Sequence, residues 1–123
     1  MAASANIVVT GSIIGLGTGS RQIGPLTINN ATACGNVQEV QVLTTGTTVT
    51  LPTVGNAPVG VIIDLPSGNT HDITLKGVGG DTGIDIGQTG TVLLSWVGAA
   101  AAPASFVLTS ATATVSAVEI VFF

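Results

Sequence analysis

Apolar residues recur at every second position along most of this chain, and not at the 3.6-residue interval of a helix. Ile73 and Leu75 alternate with Thr74 and Lys76, Leu26 and Ile28 flank Thr27, and Ile84 and Ile86 flank Asp85. Successive side chains of a strand point to opposite faces, so each alternating set marks a face turned to a core. The pattern predicts strands over residues 6–10, 26–28, 37–43, 47–51, 59–65, 73–76, 84–86, 91–96, 106–109 and 118–123. Val59 to Leu65 is almost continuously apolar, which predicts a strand covered on both faces. Thr45-Gly46, Pro52, Pro66-Ser67-Gly68-Asn69 and Gly87-Gln88-Thr89-Gly90 supply turn and stop chemistry between the runs. The alanines from Ala99 to Ala102 make too short a run for a helix and end at Pro103. About eight to ten short strands at this spacing predict an all-β chain folded as a single β-sandwich, jelly-roll-like.

Glycines at 11, 15, 17 and 19 break the pattern early, so residues 1–21 are expected to form an N-terminal arm that is flexible or docks on a neighbour. Residues 22–123 are expected to form the β-sandwich domain, with no internal repeat or charged linker dividing it. An arm that orders on binding must bury apolar side chains to offset the entropy lost, and Ile13, Ile14 and Leu16 are its candidates. At the other end Phe122 and Phe123 are adjacent, so in a strand they face opposite sides of the sheet. They are read as interface candidates, against the alternative that one subunit buries both.

Charge changes the picture most. Only 7% of the residues are charged, where a soluble domain has about 25%, and the mean hydropathy is +0.70. Interspersed charge is what keeps a monomer from associating, so a surface this poor in charge is read as one covered by other copies or partners. The net charge is −4, with Arg21 and Lys76 the only basic residues. Too few cations are present to neutralise a phosphate backbone, and no nucleic-acid partner is expected. No membrane partner is expected either. The weakly polar stretch from Val92 to Leu108 is interrupted by Ser95, Pro103 and Ser105 and lacks basic anchors. Met1 to Asn6 lacks the basic start of an export signal, which suggests folding in a cytoplasm.

Candidate chemistry is sparse. His71 is the sole histidine, and Asp72 beside it points to the other face in a strand, so the two do not make a base and its orienting carboxylate. Cys34 is alone, which excludes an internal disulfide and, with one histidine, a zinc site within one chain. The corner Gly77-Val78-Gly79-Gly80-Asp81-Thr82-Gly83 looks like a phosphate cradle, but it lacks the Lys-Ser/Thr pair and no helix follows. Asp81 and Asp85 are too few ligands for calcium and fit turn residues bonding their own backbone. No enzyme, cofactor or metal is expected.

The residues Val61-Ile62-Ile63-Asp64-Leu65-Pro66, Asn69 and Ile73 through Ile84, with Thr91-Val92-Leu93-Leu94-Ser95 and the β-rich end, resemble small virion proteins of tailed bacteriophages. The resemblance implies a β-sandwich subunit repeated on a particle, such as a head decoration or cement protein. It further implies self-association as a trimer at local symmetry axes, and contact with the major capsid protein or other virion proteins. Folding in the host cytoplasm would precede assembly into the virion. A tail or neck component of the same build is an alternative. So is a carbohydrate- or surface-binding β-module, which one tryptophan and no tyrosine make awkward.

Overall fold

The computed structural model describes residues 4–13, 21–30, 34–53, 57–96 and 103–123. Among them every regular element is a strand and every ladder is antiparallel. β1 (Ala5–Ile13) and β2 (Arg21–Asn30) pair as a two-stranded sheet. The other eight are β3 (Asn36–Val42), β4 (Thr47–Thr50), β5 (Gly60–Leu65), β6 (Ile73–Lys76), β7 (Ile84–Gly87), β8 (Gly90–Ser95), β9 (Ser105–Ser110) and β10 (Val115–Phe122). They form two four-stranded sheets, in the orders β3-β10-β5-β8 and β4-β9-β6-β7.

The pairing is nested. β6 ladders with β7, β5 with β8, β4 with β9 and β3 with β10, as in a long ribbon doubled back on itself. Two further ladders, β10 with β5 and β9 with β6, join the folded ribbon into its two sheets. Alternation within these strands sends Val42, Val49, Val61, Ile63, Ile73, Leu108, Val118, Ile120 and Phe122 into one apolar cluster shared by both sheets. Turn chemistry does what the sequence asks of it. Gly46, at φ +101°, takes the left-handed conformation in the β3–β4 turn and donates its N–H to the Leu43 carbonyl.

Three expectations change. β1 does not stop at Gly11; it crosses that glycine at an irregularity in the ladder between Val9 and Gly11 and runs to Ile13. Half of the expected arm is therefore a strand paired to residues 21–30, and the expected boundary at 21/22 cuts through that hairpin. β5 is not covered on both faces, because Ile62 is half-buried and Asp64 exposed. β10 begins at Val115, ahead of the expected Val118, and absorbs a bulge at which Ala117 has φ +60°.

Phe122 and Phe123 are both buried by this chain itself, at 0% and 3% exposure. Phe122 enters the shared core. Phe123 lies over Gly60, and its backbone N–H donates to the Gly60 carbonyl while its own carbonyl accepts from Val59 and Gly60. Two-sided burial inside one subunit is thus the arrangement present. Ile14 and Leu16 lie outside the described residues, as does the side chain of Ile13.

Candidate interaction surfaces

The face of β3-β10-β5-β8 turned away from the core carries two side-chain rows that cross all four strands. Register builds them. Glu119 lies opposite Glu39 on one side and Asp64 on the other, and Asp64 lies opposite Thr91. One step along, Val121 lies between Val37 and Ile62, and Ile62 lies opposite Leu93. A carboxylate row, Glu39–Glu119–Asp64, therefore runs beside an aliphatic row, Val37–Val121–Ile62–Leu93. Val37, on the edge strand, is 60% exposed.

Half of the chain's six acidic residues meet in that row. The Thr91 hydroxyl donates to Asp64 Oδ1 at 2.8 Å, the only neutral partner the row recruits among the described residues. No group of three or more His, Cys, Asp or Glu among the described residues is arranged to hold a metal. Like charges directly opposite destabilise a ladder. Glu119→Gln is accordingly expected to stabilise the fold by roughly 0.2–1 kcal/mol at low ionic strength, and by less as salt screens the row. Thermal unfolding at low and high salt checks this; no gain at low salt would mean the carboxylates already avoid one another.

The opposite outer face is built differently. Thr48, Val107 and Lys76 are in register there, and beside them lie Thr109, Thr74 and Asp85. Hydroxyls dominate this face, and its one cation stands apart from the carboxylate row.

A third feature is an apolar cleft of about 560 Å³ at the edge strands β7 and β8, lined by Leu75, Ile84, Leu94, Trp96 and Phe106 with Lys76 and Asp81 at its rim. Trp96 is half-buried against the core, and its Nε1–H donates to the Pro58 carbonyl at 2.8 Å. Its polar edge is thus already engaged by the protein, unlike that of a ring held free to stack on a sugar.

The side chains weighed for chemistry in the sequence are each engaged locally. His71 Nδ1 is 2.7 Å from the Thr112 hydroxyl, and the side chain is half-buried rather than fully solvated. The glycine corner uses its own carboxylates: Asp81 Oδ2 accepts the Val78 N–H at 3.0 Å, and Asp85 Oδ1 accepts the Gly87 N–H at 2.8 Å. Asn69, which the sequence marks only as a turn residue, ties two turns together. Its Nδ2 donates to the carbonyls of His71 and Gln88, and its Oδ1 accepts the His71 N–H. Cys34 is half-buried and free, packed at the margin of the core.

The two rows on the outer face escaped the sequence reading. One signal for them does exist: Glu39, Asp64 and Glu119 each interrupt an apolar strand at an outward position. Comparisons with protein-family models, with curated proteins and with solved structures found no match to this chain.

Proposed function

We propose that this chain is a virion structural protein of a tailed bacteriophage: a non-enzymatic decoration or cement subunit that stabilises the capsid through contacts between subunits. The observation that carries the reading is the nested pairing of β3 to β10. A ribbon of eight strands paired outermost to innermost and wrapped into two sheets is the order of a jelly roll, and the two sheets share one core. Jelly rolls recur in viral capsid subunits and also in lectins and cupins, so the order supports the class without selecting the role. Surface composition narrows it. A chain with 7% charged residues, an aliphatic row across one outer face and a hairpin that pairs with no other strand among the described residues is suited to being covered. A subunit of this kind adds stability by mass action, because it binds the assembled shell and not its separated parts.

In this reading the subunit self-associates, contacts the major capsid protein or other virion proteins, and belongs to the virion. Trimers at local symmetry axes come from the resemblance alone. Electron microscopy of purified particles tests the proposal. Many regularly placed copies on the head are expected, together with shells that break at a lower temperature when the subunit is missing. Density confined to the tail or neck would move the subunit there, and absence from purified particles would end the virion reading.

A further inference from the structure

The hairpin β1–β2 is the element whose needs the rest of the chain leaves unmet. Its strands ladder only with each other among the described residues. A lone two-stranded hairpin is marginal in water and draws stability from further strands or a packed face. The cross-strand pairs Ile7–Ile28 and Val9–Leu26 give it an apolar face, and Leu26 is 58% exposed. Its two strands differ as docking edges. β2 is interrupted by Pro25, which has no N–H to donate. β1 reads Ala-Asn-Ile-Val-Val-Thr-Gly-Ser-Ile, with no proline and no ionisable side chain. It carries none of the charges or prolines that keep an edge strand from pairing.

We infer that β1 pairs through its free edge with β1 of a second copy of this chain, antiparallel about a two-fold axis, to give a four-stranded sheet β2-β1-β1-β2. The inference deepens the assembly role proposed above and rests on that reading only for where the pairing takes place. Charge selects the occupant. Copies of a chain with net charge −4 repel one another in general, but an uncharged β1 brings no like charges together at the contact and gives a charged partner nothing to pair with.

The register follows from the ladder. Regular pairing on β1 ends at Val9, so the uninterrupted segment is residues 5–9, with Ile7 at its centre. A two-fold axis through Ile7 sets Ile7 opposite Ile7 and Val9 opposite Ala5. Residues of the same parity then share a face, and the apolar face continues unbroken from one Ile28 through both Ile7 side chains to the other Ile28. Among the described residues β1 has one free edge, so the β1–β1 contact closes at two copies.

Sizing and light scattering of the purified full chain at micromolar concentration are expected to give twice the 12.0 kDa chain mass. Ile7→Lys is expected to return it to one chain, with the unfolding transition reported by Trp96 retained. In a Cys34→Ala background, Ile7→Cys is expected to form a disulfide-linked dimer under mild oxidation, because directly opposed residues lie about 4.5–5.5 Å apart at Cα. Leu26→Cys, about 20 Å from its counterpart across three strand spacings and four residues along the strand, is expected to remain unlinked. A mass of one chain or of three, an unchanged mass for Ile7→Lys, or equal linkage at positions 7 and 26 would overturn the inference. All of these readouts use the isolated chain, so they succeed or fail independently of whether the subunit is found on particles.

Discussion

Phe122→Ala is expected to cost about 3–5 kcal/mol of folding stability. A domain of this size has about 5–15 kcal/mol in all, so the variant should unfold at far lower denaturant or not fold at all. Position explains the size of the effect. Phe122 is fully buried, lies on a strand flanked on both sides by ladders, and faces Asn36 on β3 and Val61 on β5. Removing the ring leaves a cavity in the core beneath a strand held by ladders on both sides, so collapse into the space is limited. Ending the chain after Ile120 should be worse. It also removes the Phe123 carbonyl that accepts from Val59 and Gly60, and the N–H that donates to the Gly60 carbonyl. Urea unfolding followed by the fluorescence of Trp96 gives the measurement. A truncated chain of near-normal stability that had lost only its association would return the two phenylalanines to an intersubunit role.

Gly60→Ala, which adds a single methyl group, should cost about 1–3 kcal/mol or more by overpacking. A Cβ at this position would run into the ring of Phe123 and come within 2.6 Å of the Leu94 carbonyl oxygen. The ring is a side chain that can swing aside, but the carbonyl belongs to the backbone of β8, directly paired to β5. Conformational freedom is not the issue here; the space is. A double-mutant cycle separates the two obstacles. Phe123→Ala removes the ring, so Gly60→Ala should cost less in that background than in the natural one, and the two changes should not add. Strict additivity would show that the Leu94 backbone alone sets the penalty.

Much of the strand layout was legible because alternation and turn chemistry are local. Pro66-Ser67-Gly68-Asn69 ends β5 and Thr45-Gly46 separates β3 from β4, where the residues say they should. What was hidden depends on register between distant strands. Glu39, Asp64 and Glu119 are isolated acids in the sequence and become neighbours only when β10 inserts between β3 and β5. The same insertion explains the misread β5. Ile62 is apolar yet faces outward, because it belongs to a row partly covered by Val121 and Leu93. The N-terminal hairpin was hidden for another reason. Gly11 looks like a strand breaker, but β1 runs through it without a positive φ, and the extra residue at the irregular step of the ladder lies on β2, between Ile23 and Leu26. The side chains that looked chemical in sequence, Asp81 and Asp85, hold their own turns.

The nested order of the ladders also sets when this chain can finish folding. The innermost pair, β6 and β7, is separated by a short connection and can form early, whereas among the described residues β3 has no ladder partner other than β10. Closing that outermost pair brings together segments from opposite ends of the ribbon, a high-contact-order step of the kind that slows folding toward milliseconds to seconds. On the ribosome β3 must wait, unpaired, until residues 115–122 have emerged. The completed outer face, with its acidic and aliphatic rows, therefore does not exist on a nascent chain, and no partner that reads it can engage a half-made subunit.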